Sequence, residues 1–223
     1  MVTILFDIDG TLIRSGGAGM NAINEVMKNL FDVDSVAKIK VHGRTDNGIL
    51  SDVFAAHSLD YDAHRDDFNA GYWGLLPQRL KECDGEILPG AVSLLEHLHG
   101  REKVALGILT GNSKRAAQIK LEHFGLDGYF EFGGYGDHHS ERNDVAGLAR
   151  AAAEEFLGQR FVGDQLWVVG DTVNDITCAR SIQSRVVAVE TGGSDPDVLR
   201  AASPDLQLKN LDEIEAFVSN VIL

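Results

Sequence analysis

Hydrophobic residues recur along this chain with two different periods, and the change between them predicts how the chain is organised. The continuous apolar run Val2–Phe6 is typical of a strand buried on both faces of a sheet. From about residue 17 to residue 84 the apolar positions keep a helical spacing without a convincing strand, and Pro77 is expected to end the last of these helices. One strand therefore precedes an all-helical block.

The rest of the chain alternates between strands and helices. The runs VALGILT, LWVVG and RVVAVE predict buried strands, EFGG predicts a shorter one, and a helical pattern follows each of them. Such alternation indicates βαβ units. We expect an α/β fold with a Rossmann-like parallel sheet, helices on both of its faces, and a small all-helical cap inserted after the first strand. The core would comprise residues 1–15 and 86–223, and the cap residues 16–85.

Composition narrows the classes of partner and compartment. The 223 residues have a formal net charge of −14 and a pI near 4.9, which argues against nucleic acid or an anionic membrane surface as the main partner. The two distant cysteines, Cys83 and Cys178, form no disulfide framework, so we expect reduced thiols in a cytoplasmic protein. No run approaches the roughly 20 apolar residues that a membrane-spanning helix needs, and we expect no signal peptide.

Acidic and hydroxyl side chains stand at the ends of three predicted strands. Asp7 and Asp9 follow the first strand, Thr110 ends the second, and Asp171 follows LWVVG, with Asp175 four residues later. Each of these alone could be a solvated turn or a helix N-cap. Because the carboxyl ends of parallel strands share one edge of a sheet, where ligands bind, their coincidence predicts a single site.

The chemistry that these residues suit is phosphoryl transfer through a carboxylate. Asp7 is the candidate nucleophile, and Asp9 is the candidate acid/base that protonates the leaving oxygen and then deprotonates a water. A carboxylate and a phosphate repel each other, so the site needs a hard cation. Mg²⁺ takes oxygen ligands, and Asp7 and Asp171 would supply two of them.

Phosphate binding is expected at the end of the second strand. The Thr110 hydroxyl and the backbone N–H groups of Gly111 and Asn112, at the start of a helix, suit a phosphate oxygen. Gly10 allows a tight bend beside the nucleophile.

A cationic side chain is also needed to neutralise the transferring phosphoryl group. No lysine occurs between residues 122 and 208, so if any side chain of this stretch takes this role, it is an arginine. Arg142, just before the helix predicted from Asn143, is the best candidate. The alternative for Arg142 is a solvated arginine at a helix start.

Three motifs together resemble those of the haloacid dehalogenase superfamily: DIDGT, LTGN and GDTVND, in the expected order. The helical block resembles the inserted cap of that family, and LPGAVSLLEHL resembles its phosphoglycolate phosphatase-like branch. The resemblance implies that Asp7 is nucleophile and metal ligand, and that Asp9 is the acid/base and contacts Mg²⁺ through its backbone carbonyl. It further implies that Thr110 binds phosphate and that Asp171, supported by Asp175, completes the metal site. The third motif of this branch usually has a lysine, where Arg142 stands here.

These features predict a Mg²⁺-dependent phosphatase that hydrolyses a small phosphomonoester, such as a phosphoglycolate-like molecule or a sugar phosphate. Asp9 favours phosphoryl transfer over carbon–halogen cleavage, which needs no protonated leaving group. The alternatives are a sugar phosphomutase of the β-phosphoglucomutase type and, from another class, a non-catalytic phospho-accepting signalling protein. We expect a small phosphorylated metabolite as partner, and a monomer or homodimer.

Substrate choice is expected to lie in the cap. The segment HGRTD interrupts the helical pattern, and Arg44 within it is the candidate contact for a substrate carboxylate or second phosphate. The alternative for Arg44 is a surface charge beside a Thr45 N-cap. The linkers between core and cap are expected at residues 15–17 and near residues 84–85.

Overall fold

A six-stranded parallel sheet forms the centre of the protein in the computed structural model, which describes residues 1–36, 38–162 and 164–222. Numbered in chain order, the strands of the described residues are β1 (Val2–Phe6), β2 (Ile13–Arg14), β3 (Glu86–Ile87), β4 (Val104–Leu109), β5 (Phe132–Gly134), β6 (Leu166–Gly170), β7 (Arg185–Val189) and β8 (Leu206–Leu208). The sheet has the order β5-β4-β1-β6-β7-β8, and every neighbouring pair in it is parallel.

Helices cover both faces of this sheet. Those of the core are α4 (Ala91–Leu98), α5 (Lys114–Phe124), α6 (Arg142–Leu157), α7 (Val173–Ser181), α8 (Pro196–Ala201) and α9 (Ile214–Val221). Successive residues of a strand point to opposite faces, so Ile4 and Phe6 pack with α4, α5 and α9, whereas Leu5 packs with α6 and α7. The predicted α/β fold is thus confirmed.

The register of the central strands brings their carboxyl ends to one edge. Phe6, the last residue of β1, lies opposite Ile108 of β4 and Val169 of β6. The residues that follow these three positions therefore leave the sheet side by side. This alignment places the loops after β1, β4 and β6 next to one another.

Three helices lie between β2 and β3: α1 (Ala18–Phe31), α2 (Asp46–Ala56) and α3 (Tyr61–Glu82). They share a hydrophobic cluster, which also includes Ala116 and Ile119 of α5. The strands β2 and β3 pair antiparallel, so the two connections between this helical unit and the sheet run side by side. The helical unit therefore packs on α5 and is joined to the rest of the chain at one place.

The prediction that Pro77 ends its helix is wrong. Helix α3 continues through Pro77 to Glu82. A proline inside a helix costs about 3 kcal/mol, but Leu76 and Leu80 are buried in the cluster on either side of it. Each buried leucine contributes about 1.5–3 kcal/mol, which offsets the loss. Periodicity also gave no sign of β2, β3, α8 and β8, because elements of two to six residues are too short to establish a period.

None of the helices in the described ranges combines the length and the apolar character that crossing a membrane would require.

Candidate active site

The loop after β1 places two carboxylates at the edge of the sheet. Asp7 is 5% exposed, and its backbone N–H donates to the carbonyl of Val169 (2.9 Å), which ties the loop to β6. Gly10 then turns the chain with φ of 90°, a left-handed conformation that glycine adopts without strain. A Cβ atom at Gly10 would overlap the carboxylate of Asp171. The glycine therefore both allows the bend and leaves room for a third acid.

Three buried carboxylates converge at this edge. Asp7, Asp171 and Asp175 each offer an oxygen, and these atoms lie within 4.8 Å of one another. Burial raises the pKa of Asp7 from 3.8 to about 6, with the charge of Arg142 opposing the shift and that of Asp175 adding to it. Burial, followed by the charges of Asp175 and Asp7, raises the pKa of Asp171 to about 8. A divalent cation would relieve this repulsion, so the donor set fits a hard metal ion with oxygen ligands.

Asp175 differs from the other two acids because both of its oxygens are engaged. Oδ2 accepts from the backbone N–H and the hydroxyl of Thr172 (2.9 and 2.6 Å), which closes the N-terminus of α7. Oδ1 accepts from Arg142. The hydrogen bond that Asp171 receives, from the Thr11 hydroxyl, is longer at 3.3 Å. Asp7 and Asp171 thus offer the freer oxygens, and the place of Asp175 among the metal ligands stays a prediction.

Arg142, the first residue of α6, lies beside the predicted nucleophile. Its Nη2 is 3.1 Å from Oδ1 of Asp7, and the same atom donates to Asp175. The side chain is buried, and its Nε has no hydrogen-bond partner among the residues that the structure describes. An unpaired buried donor is costly. A guanidinium with a spare donor next to Asp7 therefore suits an anionic ligand at this position.

The loop after β4 supplies the hydroxyl that the sequence predicts. Thr110 is fully buried, and its Oγ1 accepts from the backbone N–H and the side-chain amide of Asn112 (3.3 and 2.9 Å). Gly111 faces the segment that leads into the helical unit's α2. Its carbonyl accepts from the N–H of Asp46 (2.7 Å), and a Cβ atom at Gly111 would overlap the carbonyl of Arg44. Only a residue without a side chain allows the helical unit to approach this closely.

Asp9 lies within a network that sequence reasoning missed in part. Ser15 Oγ donates to its Oδ1 (2.9 Å), and Asn112 Nδ2 donates to its Oδ2 (2.8 Å). The ammonium of Lys120 also donates to Oδ2, at 2.5 Å. Burial favours a higher pKa for Asp9, but the charge of Lys120 and these hydrogen bonds lower it below 3.8. Asp9 is therefore an anion in the empty site, and it must take up a proton before it can act as an acid.

Lys120 lies before residues 122–208, the part of the chain in which the sequence predicts the cation of the site. A signal exists in the sequence: Lys120 stands four residues after Ala116 and three after Ala117, which places it on the apolar face of α5. Lys120 is 5% exposed, and an ammonium group buried to this degree needs an opposite charge or hydrogen-bond acceptor. That charge belongs to Asp9, the acid two residues after Asp7.

A cavity of about 460 Å³ lies above these groups, between the core and the helical unit. Its floor includes Asp7, Asp9, Thr110 and Arg142. On the side of the helical unit it is lined mainly by apolar or aromatic residues, namely Met20, Ile23, Val41, Ile49 and Tyr72, together with His42, Arg44 and Asp46.

Arg44 lines the cavity, but its guanidinium already has partners. Nη1 lies 2.7 Å from Oδ2 of Asp52, and Nη2 donates to the carbonyl of Gly48 (3.1 Å). Thr45 is the N-cap of α2, as the alternative view of this segment expects. The role of Arg44 as a substrate contact stays a prediction.

Known proteins resemble this chain over most of its length. The family model for haloacid dehalogenase-like hydrolases matches residues 1–183. A phosphoglycolate phosphatase of Rhodospirillum rubrum is 29% identical over 203 residues, which cover 86% of this chain and 80% of that protein. A phosphoglycolate phosphatase of Chromobacterium violaceum is 28% identical over 222 residues, covering 97% and 96%. The crystal structure of a hydrolase from Pseudomonas syringae has a TM-score of 0.73 at 21% identity and covers 100% of both chains, which supports the fold.

The matched residues include all three motifs, and the structure brings those motifs together at one edge of the sheet. On both grounds, the chain belongs to the haloacid dehalogenase-like hydrolase family and is a hydrolase.

Proposed function

We propose that this protein is a Mg²⁺-dependent phosphatase that hydrolyses a small phosphomonoester through an aspartyl-phosphate on Asp7. The main support is the contact between Asp7 and Arg142 at the floor of the cavity, where their side chains are 3.1 Å apart. A nucleophilic carboxylate beside a cation with a spare donor suits an anionic substrate. The two similar phosphoglycolate phosphatases support the same reaction class.

In the first half of the proposed reaction, a carboxylate oxygen of Asp7 attacks the phosphorus. Asp9, an anion in the empty site, takes up a proton from solvent as the anionic ester binds beside it. The bond between phosphorus and the ester oxygen then breaks, and the leaving oxygen takes this proton from Asp9. Arg142, the Thr110 hydroxyl and the N–H groups of Gly111 and Asn112 would bind the phosphoryl oxygens. The charge that develops on these oxygens is thereby met by donors fixed in advance.

In the second half, Asp9 removes a proton from a water whose oxygen attacks the phosphorus of the aspartyl-phosphate. The bond between phosphorus and Asp7 breaks, inorganic phosphate leaves, and the Asp7 carboxylate is restored. The proton that Asp9 gives in the first half is returned in the second. One acid thus serves both halves of the cycle.

The metal would be held by the side chains of Asp7 and Asp171 and by the backbone carbonyl of Asp9, with Asp175 in support. When bound, Mg²⁺ supplies positive charge that offsets the repulsion between the carboxylates and the phosphate. Burial first, and then neighbouring carboxylates, raise the pKa values of Asp7 and Asp171, and a bound cation would stabilise the charged forms of both acids.

The substrate we propose is a small phosphorylated metabolite, phosphoglycolate-like or a sugar phosphate. A cavity of about 460 Å³ suits a small ester, and Arg44 at its rim suits a second anionic group. The free thiols of Cys83 and Cys178 are in keeping with a cytoplasmic location, which we also propose. The protein would act as a monomer or homodimer.

A phosphate-release assay tests this proposal. The purified protein is incubated with a panel of phosphomonoesters that includes 2-phosphoglycolate, with Mg²⁺ or with EDTA, beside the Asp7→Asn variant. We expect multiple turnovers that require both Mg²⁺ and Asp7. Isomerised sugar phosphate without free phosphate would indicate a mutase instead, and a single phosphorylation without turnover would indicate a signalling protein.

A further inference from the structure

The middle of α5 contains a buried ammonium group. Lys120 is 5% exposed, and Ala116 and Ala117, one turn before it, are fully buried. Burying a charge is costly, and an apolar side chain of similar volume is often as stable in such a place. Packing alone therefore gives no reason for a lysine at this position.

The hydrogen bonds of Lys120 point to Asp9. Its Nζ donates to Asp9 Oδ2 at 2.5 Å and to Asn112 Oδ1 at 2.6 Å. The amide nitrogen of Asn112 donates in turn to Asp9 Oδ2 at 2.8 Å and to the hydroxyl of Thr110 at 2.9 Å. The three side chains Lys120, Asn112 and Asp9 thus form a closed triangle, and Thr110 is attached to it. With its oxygen towards Lys120 and its nitrogen towards Asp9 and Thr110, the Asn112 amide makes its three bonds in one orientation.

This triangle joins three separate parts of the chain. Asp9 belongs to the loop after β1, Asn112 to the loop after β4, and Lys120 to the body of α5. Helix α5 is the more rigid of these supports, since its Ala116 and Ile119 also pack in the cluster of the helical unit. A loop carboxylate is thereby anchored to a packed helix.

The other charged groups nearby do not take over this function. Arg142 is paired with Asp7 and Asp175, on the metal side of the site. Asp46, the remaining acid close to Lys120, accepts the backbone N–H of Ser113 at 2.8 Å. In the described part of the chain, the ion pair of Asp9 is the one with Lys120. Arg142 therefore pairs with Asp7 and Asp175, whereas Lys120 pairs with Asp9.

We propose that Lys120 is a positioning residue for the acid/base: together with Asn112 it fixes the Asp9 carboxylate beside Thr110, so that proton transfer by Asp9 depends on Lys120. This inference rests on the proposed phosphatase function, in which Asp9 protonates the leaving oxygen. Without Lys120 the carboxylate would be free to turn away from the ester oxygen. General acid catalysis accelerates a reaction by about 10²–10⁴-fold, and we expect the loss of Lys120 to lower the rate by the lower end of this range.

The test uses two esters that differ in their need for a proton. The alkoxide that leaves 2-phosphoglycolate must be protonated, whereas p-nitrophenolate leaves as a stable anion. The value of kcat/KM covers the steps up to the departure of the alcohol. For Lys120→Met we expect kcat/KM to fall by about 10²-fold on 2-phosphoglycolate and by less than about fivefold on p-nitrophenyl phosphate. A merely structural defect would lower both values alike.

Two further comparisons sharpen the test. The double variant Asp9→Asn/Lys120→Met should be within about threefold of Asp9→Asn alone, because residues that act as a unit are not additive. The exposed Lys114 on the same helix provides the control, and Lys114→Met should leave both kcat/KM values unchanged. Lys120→Gln, which keeps a polar side chain, is the second variant if the methionine variant does not fold.

The outcomes separate the inference from the function on which it rests. Equal losses on both esters, additive losses in the double variant, or an effect on KM alone would overturn the role of Lys120 while the phosphatase proposal stands. Failure of the wild-type protein to turn over any ester of the phosphomonoester panel, with p-nitrophenyl phosphate included, would overturn both.

Discussion

The floor and the roof of the cavity are built on different principles. The floor consists of loops that follow parallel strands, and its side chains are charged and engaged in hydrogen bonds: Asp7 with Arg142, and Asp9 with Lys120. The roof comes from the helical unit and is largely apolar, with Met20 and Ile49 among its members. In the proposed phosphatase, the floor would carry out the chemistry common to many phosphate esters, and the roof would select among those esters. Substitutions in the two regions should therefore differ in size and in kind.

The largest effect is expected at the nucleophile. Asp7→Asn should lower kcat by roughly 10⁴-fold or more, as the removal of a covalent nucleophile does in other enzymes. The swap is nearly isosteric and removes a buried charge whose pKa is raised to about 6, so stability should be kept or increased. Phosphate release and the melting temperature measure the two effects. Activity near that of the wild type would exclude Asp7 as nucleophile.

A smaller loss is expected for the cation of the floor. Arg142→Ala should reduce kcat by about 10²–10³-fold, since it removes a donor for the transferring group. It should also cost about 3–5 kcal/mol of stability, because Asp7 and Asp175 lose their buried partner. Arg142→Lys serves as the matched variant, since it keeps the charge without the planar fork. Steady-state rates and urea denaturation measure the two effects. A small change in both would indicate that Arg142 is a solvated arginine at a helix start.

The roof should change affinity more than rate. Arg44→Ala is expected to raise KM for 2-phosphoglycolate about tenfold, which corresponds to about 1.4 kcal/mol, within the range of a charged hydrogen bond. The value of kcat should change little, and p-nitrophenyl phosphate, which has no carboxylate, should bind as before. The exposed Arg101 offers a control through Arg101→Ala. A fall in kcat on both esters would instead show that Arg44 acts in the reaction itself and not only in substrate binding.

The last prediction concerns the stability of the floor and its dependence on pH, rather than the rate of turnover. Without metal, the folded protein keeps protons on Asp7 and Asp171 up to pKa values of about 6 and about 8, whereas an unperturbed aspartate has lost its proton above 3.8. This contribution to stability is fully present below pH 4 or so and is lost as the pH rises through both values. In EDTA, the melting temperature should therefore fall from about pH 4 to about pH 8, more steeply below about pH 6, where both acids contribute, and level off above that range.

Magnesium should reverse that trend, because it binds the deprotonated carboxylates. At 100 times its dissociation constant it would add about 2.7 kcal/mol, or roughly 5–10 °C, and more at the alkaline end. Asp171→Asn is the control, since it removes the acid with the higher pKa. A metal-induced shift that is equal at both ends of the range would contradict the assignment of these two acids.

Much of the floor follows from the sequence because strand ends impose strict geometry. Once Val2–Phe6 and the later apolar runs are recognised as parallel strands, Asp7, Thr110 and Asp171 must emerge at one edge. Arg142 followed from the need for a cation at the start of a nearby helix. These predictions rest on short-range patterns combined with one rule of sheet topology.

Other features depend on contacts between elements far apart in the chain. Lys120 meets Asp9 across 111 positions, and their pairing depends on how α5 packs under the helical unit. Pro77 stays inside α3 because Leu76 and Leu80 are buried by neighbouring helices.

The sequence alone therefore determined the fold class, the order of the motifs and the residue types at the sheet edge, since a buried strand constrains the residues that follow it. Only the tertiary structure decided which buried cation serves which carboxylate, and how closely the helical unit approaches Gly111. The reason is physical: strand register is set by a repeating backbone pattern, whereas helix packing is set by side-chain shape over many distant contacts.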